Sequence, residues 1–112
     1  MATKAARQPA GKAPDPVAVD PKHYSVEVEN EKVRVFRVTL EPGQSTPMHT
    51  HVFAGLSIAL TSGEIAITTE GRNQPDKLSL PLGDVRWRAG AVTHSIKNVG
   101  KTRFEAVDVE LK

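Results

Sequence analysis

The 112-residue chain contains no cysteine. This absence excludes disulfide bonds, thiolate metal sites, iron–sulfur clusters and cysteine nucleophiles. The chain also lacks a run of roughly 18 consecutive apolar residues, which a membrane-spanning helix would need. It has no phosphate-binding P-loop, no dinucleotide-binding fingerprint and no Gly-x-Ser-x-Gly nucleophile motif. The remaining candidates for chemistry are therefore its histidines, hydroxyl groups and carboxylates.

The net charge of +2 comes from the N-terminal segment. Residues 1–16 carry three basic side chains and one acidic one, whereas residues 17–112 carry twelve of each sign. Nucleic-acid binding requires basic residues clustered on a folded face, so we expect no nucleic-acid partner. The segment also lacks the run of about 7 to 15 apolar residues of a secretory signal. We therefore expect a cytoplasmic protein that does not associate with a membrane.

The length predicts one domain. Residues 1–21 are rich in alanine and proline and show neither helical nor strand periodicity, which predicts a flexible tail. Residues 22–112 are predicted to form one all-β domain, because short segments rich in Val, Ile and Thr alternate with turn residues. The predicted strands cover residues 24–29, 32–41, 45–53, 56–61, 64–70, 77–80, 84–88, 93–99 and 103–111. Many short strands at near-regular spacing indicate a sandwich or barrel.

The last predicted strand shows clear alternation between two faces. Val107, Val109 and Leu111 share one face, and Ala106, Asp108 and Glu110 share the other. The pattern predicts a strand with one face toward water.

Two of the four histidines, His49 and His51, are separated by one residue in a strand-like segment. Strand geometry points both rings to the same face, about 7 Å apart along the strand, where they can converge on one metal ion. Such a pair is weak evidence by itself, since most histidine pairs in β-rich chains are solvated or hydrogen-bonded.

The residues around this pair form a longer pattern. Gly43, His49, His51 and Gly63 have the spacing Gly-x5-His-x-His…Gly. Further along, Gly83, His94 and Asn98 match a second pattern, Gly-x5-Pro-x-Gly-x2-His-x3-Asn. In that second pattern the chain has Ala89 for the proline, Ala91 for the second glycine and Gly90 displaced by one position. These two motifs, in this order, resemble the two conserved motifs of the cupin superfamily. The resemblance covers roughly residues 24–112.

The resemblance implies an antiparallel jelly-roll β-barrel that holds one divalent transition metal through His49, His51 and His94. Iron, zinc, nickel, manganese or copper would all suit such ligands. The fourth ligand of the family, a glutamate, would fall at position 56, where this chain has Leu56. Leu56 and Ile58 belong to an apolar face of their strand, so we expect Leu56 to point into the barrel.

Three neutral imidazoles leave the charge of the ion uncompensated and its remaining positions open, which is typical of catalytic sites. Some three-histidine cupins are iron dioxygenases. We therefore predict an oxygenase-like, metal-dependent enzyme acting on a compact anionic or enolisable small molecule. Two alternatives remain open at this point: a site that has lost its metal, and a non-catalytic module that binds or senses a small ligand. No catalytic acid or base is assigned.

A homodimer is also expected, because the family commonly pairs barrels and an exposed edge at residues 24–30 would otherwise invite uncontrolled pairing. Other polar or aromatic residues have simpler interpretations. His23 is expected at the surface, Arg86 and Arg88 exposed or ion-paired, Asn98 at a turn or strand end, and Trp87 in the core or an interface. Asp84 is expected to stabilise a turn.

Overall fold

A computed structural model describes residues 14–112 and confirms the all-β prediction. These residues form one short helix and nine strands. The elements are α1 (Pro16–Val19), β1 (Tyr24–Glu29), β2 (Val33–Leu40), β3 (His49–His51), β4 (Gly55–Ala59), β5 (Gly63–Thr69), β6 (Asp76–Leu80), β7 (Val85–Arg88), β8 (Val92–Asn98) and β9 (Phe104–Leu111). The predicted strand at 45–53 is reduced to β3, preceded by an isolated bridge between Ser45 and Lys97. Within the described residues, no helix is long and apolar enough to cross a membrane.

The strands form two antiparallel sheets. The five-stranded sheet has the order β1-β2-β9-β4-β7, and the four-stranded sheet has the order β3-β8-β5-β6. Side chains from both sheets meet in one hydrophobic core, which confirms the jelly-roll prediction. The buried core residues are Tyr24, Phe36, Val38, Leu40, Ala59, Ile65, Leu80, Phe104 and Ala106.

Strand β9 alternates as predicted, and its inner face is the one that carries the carboxylates. Asp108 and Glu110 are buried, whereas Val107 and Val109 are half-buried and Leu111 is exposed. This arrangement is possible because the interior supplies charged partners for both acids. Arg88 donates a hydrogen bond to Asp108, and Arg34 donates one to Glu110.

The segment predicted as a tail lies partly outside the described residues, since the structure describes it only from residue 14. In the described part, the Asp15 carboxylate caps α1 by accepting hydrogen bonds from the backbone of Val17 and Ala18. Pro16 begins the helix and is fully buried. Helix α1 packs against β1 and β3, and the backbone N–H of Thr50 in β3 donates to the Pro14 carbonyl. The described part of the segment is therefore ordered on the barrel, because a cap and an apolar contact hold it there.

Candidate metal centre

The structure brings together the three histidines that the sequence predicted as ligands. His49 and His51 lie on β3, and His94 lies directly opposite His49 on the neighbouring strand β8. Their ring centroids are 4.8, 4.9 and 5.0 Å apart, and each pair of rings is nearly perpendicular. All three residues are buried, at 0%, 1% and 7% exposure. The rings therefore surround one point inside the barrel.

Hydrogen bonds orient two of these rings. The Nδ1–H of His49 donates to the Pro47 carbonyl at 2.9 Å, and the Nδ1–H of His51 donates to the Glu110 carboxylate at 3.1 Å. Each neutral ring then carries its lone pair on Nε2, which can accept a hydrogen bond or bind a metal ion. On the third ring, His94 Nε2 is buried and has no hydrogen-bond partner. A buried polar atom without a partner is costly unless something binds it.

The donor set fits a metal ion. The potential ligand atoms of the three histidines lie within 4.8 Å of one another. Neighbouring nitrogens bound to one ion at about 2.1 Å in octahedral or tetrahedral geometry lie about 3.0 to 3.4 Å apart. Two nitrogens at the 4.8 Å limit would therefore have to approach each other by about 1.4 to 1.8 Å, less than about 1 Å for each ring, a shift that small side-chain rotations can provide.

Electrostatics keep the rings in the form that binds metals. Burial lowers the pKa of His49 and lowers that of His51 well below its ordinary value. Burial, together with the neighbouring rings of His51 and His49, lowers the pKa of His94 to about 2. Each imidazole is therefore neutral at pH 7, and neutral imidazole is the ligand for divalent transition metals.

Glu110 is a site residue that the sequence analysis missed. It is 1% exposed, and its carboxylate lies between His51 Nδ1 and the Arg34 guanidinium, whose Nε donates to it at 3.2 Å. Burial raises its pKa, while Arg34 and Arg88 oppose that effect. A carboxylate that accepts from the outer nitrogen of a ligating histidine fixes its tautomer and increases its basicity. The sequence alternation in β9 put Glu110 on the same face as Asp108, but it did not show that this face points into the barrel. Only the tertiary structure places Glu110 beside His51.

Tyr24 is the second residue that sequence reasoning did not identify. Its hydroxyl lies 3.3 Å from His49 Nε2, and its ring contacts that of His49 edge to face at 5.4 Å. Burial raises the pKa of Tyr24 well above its ordinary value, so the phenol stays protonated and acts as a donor. The tail–barrel junction where Tyr24 lies offered no sequence signal for this position.

Leu56 does not point into the barrel, and that expectation was wrong. In β4 it lies opposite Val109 on one side and Trp87 on the other. Directly opposed residues share a face of a sheet, and Trp87 is 62% exposed. Leu56 therefore lies on the outer face, and Trp87 is not in the core of the described chain. The inward residue of β4 next to Leu56 is Gly55, which lies opposite Glu110.

Position 55 cannot carry a carboxylate either. A Cβ on Gly55 would lie 2.0 Å from the carbonyl oxygen of Val109, far inside van der Waals contact. Strand β4 thus contributes no side chain at this level of the interior. The carboxylate nearest to the histidines comes instead from Glu110 on β9, and it contacts the outer nitrogen of His51.

Because position 56 faces outward, Leu56→Glu should leave metal affinity unchanged within a factor of about 2 to 3, the usual spread for surface changes. Metal titration against a competing chelator would measure this affinity. A marked rise in affinity would show that position 56 reaches the interior, and would contradict the pairing of Leu56 with Val109 and Trp87.

Glu110→Gln should weaken metal binding by about 10- to 100-fold, the usual effect of removing a partner that orients a ligating histidine. The matched control is Glu105→Gln in the same strand, since Glu105 pairs with Arg37 and Arg103 away from the histidines. Both variants should be compared by chelator competition. Equal affinities for the two would exclude an orienting role for Glu110.

The other sequence candidates lie outside the cluster. His23 is mostly buried and its Nδ1 lies 2.9 Å from the Asp20 carboxylate. Arg86 is exposed and pairs with Asp84. Arg88 pairs with Asp108 in the interior. Asn98 stabilises the end of β8, where its side chain donates to the carbonyls of Leu40 and Thr102 and accepts from the Gly100 N–H.

No family model matches the chain, and no curated protein is recognisably similar to it. Solved structures do resemble it. A cupin domain from Bordetella pertussis is 26% identical, with a TM-score of 0.74 over 90% of this chain and 97% of that one. An RmlC-like cupin family protein with a double-stranded β-helix fold from Methanocaldococcus jannaschii is 24% identical, with a TM-score of 0.65 over 80% and 81%.

A further similar structure is a predicted oxalate decarboxylase from Thermotoga maritima. It is 24% identical, with a TM-score of 0.59 over 80% of this chain and 79% of that one. In all three cases the likeness extends over most of both chains and is not confined to the histidine motifs. The chain belongs to the cupin superfamily.

Proposed function

We propose that this cupin binds one divalent transition-metal ion through His49, His51 and His94 and catalyses an oxygenase-like reaction on a small molecule. The observation that carries the proposal is the buried cluster of three neutral imidazoles, in which His94 Nε2 has no protein partner. A metal ion would satisfy that nitrogen and also account for the orientation of the two rings on β3.

The three histidines would hold the ion and leave part of its coordination sphere open. When bound, the ion would supply Lewis-acid or oxygen-activating chemistry. With Leu56 on the outer face, no carboxylate replaces the family glutamate among the direct donors that we propose. The ligands therefore bring no negative charge, which favours an anionic or enolisable substrate that can supply it. Glu110 compensates only part of the charge, through His51.

Tyr24 would provide the polar contact that orients such a substrate. Its protonated phenol is buried beside His49 Nε2 and can donate a hydrogen bond to a group that lies there. Its ring has an apolar neighbour as well, since Tyr24 also packs edge to face against Phe36 at 5.4 Å. A single hydrogen-bond donor next to an apolar side chain in a buried site suits a compact molecule rather than a polymer.

The experiment is to purify the protein without a histidine tag, measure its metal content, and reload the metal-free protein separately with Fe(II), Mn(II), Ni(II), Cu(II) and Zn(II). Oxygen uptake is then followed with a 1,3-diketone and with an α-keto acid as probes. The proposal expects one bound ion per chain and substrate-dependent oxygen uptake with at least one metal, lost in His51→Ala. The proposal would be overturned if none of the five metals bound at one ion per chain.

The second candidate is a non-catalytic module that binds a small ligand. The near-complete burial of the three histidines favours it, because a reaction needs repeated entry of substrate and release of product. In that case a probe molecule would raise the melting temperature of the metal-loaded protein without being consumed. Consumption of either probe would exclude this candidate.

A further inference from the structure

Residues 14–20, which include helix α1, pack against the strand that carries two of the proposed metal ligands. The carbonyl of Pro14 accepts a hydrogen bond at 2.9 Å from the backbone N–H of Thr50, which lies between His49 and His51 on β3. Helix α1 contacts both β1 and β3, and these are edge strands of the two different sheets. The segment therefore bridges the two sheets beside the histidine cluster.

Asp15 connects this segment to the interior of the barrel. Besides capping α1, its carboxylate accepts hydrogen bonds from both terminal nitrogens of the Arg34 guanidinium, from Nη1 at 3.2 Å and also from Nη2. The same guanidinium contacts Glu110, whose Oε1 lies 3.2 Å from Nε and 3.1 Å from Nη2. The Oε2 atom of Glu110 accepts in turn from His51 Nδ1 at 3.1 Å. A continuous chain of polar contacts thus runs from Asp15 through Arg34 and Glu110 to His51.

Arg34 fixes the position of the Glu110 carboxylate. Because Oε1 contacts Arg34 and Oε2 contacts His51, a movement of the guanidinium would also move the oxygen that orients the ring. A second guanidinium competes for that oxygen, since Arg88 Nη2 lies 3.8 Å from Oε2 and has no hydrogen-bond partner among the described residues. A buried donor without a partner is costly, so it would take the carboxylate if it could. The contact of Arg34 with Oε1 therefore keeps the carboxylate directed toward His51.

Asp15 fixes Arg34 in the same way. A guanidinium is planar, and two parallel bonds to a carboxylate set its plane as well as its position. The Asp15 carboxylate is itself held, because the backbone N–H groups of Val17 and Ala18 donate to it. Exposed ion pairs have little effect, but the Arg34 side chain is only 16% exposed and that of Glu110 is 1% exposed. Asp15 therefore fixes a guanidinium that contacts a fully buried carboxylate.

We propose that Asp15 is a positioning residue of the metal centre, which acts on His51 through Arg34 and Glu110. The inference rests on the proposed function and adds to that site a residue from outside the strands. The test variant is Asp15→Asn, because asparagine has nearly the same shape and caps a helix as well as aspartate does. The variant thus removes the charge that holds Arg34 and keeps the cap. The matched control is Asp84→Asn, which removes the same charge from an exposed ion pair beside β7.

The first measurement uses metal-free protein and follows the imidazole N–H protons by NMR. In Asp15→Asn the Nδ1–H proton of His51 should exchange with water at least about tenfold faster than in the wild type or the control, because Glu110 is no longer held. The Nδ1–H proton of His49 lies outside the chain of contacts and should exchange at an unchanged rate. Arg34→Lys should have the same effect, since an ammonium group cannot hold two carboxylates in one plane, and it decides the question if Asp15→Asn folds poorly. Unchanged exchange at His51, or equal acceleration at both rings, would overturn the proposal.

The second measurement is metal affinity by chelator competition. Asp15→Asn should weaken binding by about tenfold, the lower end of the range for losing a partner that orients a ligand, and the control should not. Combined with Glu110→Gln, it should add no more than about a two- to threefold loss, because the chain of contacts is already broken. A further tenfold loss would show that Asp15 acts independently of Glu110 and would overturn the proposal. A wild-type protein that binds no metal would overturn the proposed function, whereas proton exchange at His51 would still decide the role of Asp15.

Discussion

Replacing His94 with alanine should reduce bound metal from one ion per chain to well below stoichiometry. The variant removes one of three donors, so the loss of affinity should exceed the 10- to 100-fold expected for an outer partner such as Glu110. Chelator competition and elemental analysis would measure it. His23→Ala is the matched control, because His23 pairs with Asp20 outside the cluster. Equal metal content in the two variants would contradict the proposed site.

The same variant separates metal binding from folding. A ligand that binds only the folded state at 1,000 times its dissociation constant stabilises it by about 4 kcal/mol. The wild-type protein and His23→Ala should show this gain in denaturant unfolding when metal is added, and His94→Ala should not. The metal-free His94→Ala protein should still fold, because the change removes a buried nitrogen that has no partner in the barrel. Failure of the metal-free variant to fold would assign His94 a structural role instead.

Acidification below about pH 6.5 should destabilise the metal-free protein steeply. The pKa values of His49, His51 and His94 are lowered in the folded state, the last to about 2. Between the unfolded and folded pKa values, the unfolded chain binds more protons, so the histidine contribution is complete above the unfolded pKa and is lost as pH falls. Each histidine can contribute a slope of up to about 1.4 kcal/mol per pH unit.

The buried carboxyls act in the opposite direction. Burial raises the pKa values of Asp108 and Glu110, so their contribution to stability is complete below their unfolded values and is lost as pH rises through the folded values. They therefore offset part of the histidine effect in acid. Urea unfolding of the metal-free protein at pH 7, 6 and 5 would give the net slope, and His94→Ala should reduce it. A free energy of unfolding that stays constant across this range would contradict buried, neutral histidines.

Much of the site was predictable because strand geometry relates sequence spacing to direction. His49 and His51 are separated by one residue, so an extended backbone points both rings to one side whatever surrounds them. The spacing from Gly83 to His94 matches the second cupin motif, and this resemblance predicted that His94 would face the two histidines of β3 from a neighbouring strand. The strand positions followed from turn residues and short apolar segments, and residues 14–112 form the predicted number of strands.

The positions of Leu56 and Glu110 could not be predicted from strand geometry alone. Alternation in β4 and β9 separated two faces of each strand, but apolarity suggested the wrong inward face for Leu56. The barrel interior contains Arg34, Arg88 and the histidine rings, which make buried acids favourable on β9, while the outer side carries aliphatic residues and Trp87. Hydrophobicity alone therefore could not identify the interior.

The sequence by itself determined that the chain is β-rich, that it has a cupin motif pair, and that three histidines are its candidate ligands, because these properties depend on residue type and local spacing. The tertiary structure decided which face of each strand lies inside, which acid contacts His51, that Tyr24 lies beside His49, and that Pro16 is buried against the barrel. These features depend on contacts between residues far apart in the chain, such as His51 and Glu110, which are 59 positions apart, and local spacing does not specify them.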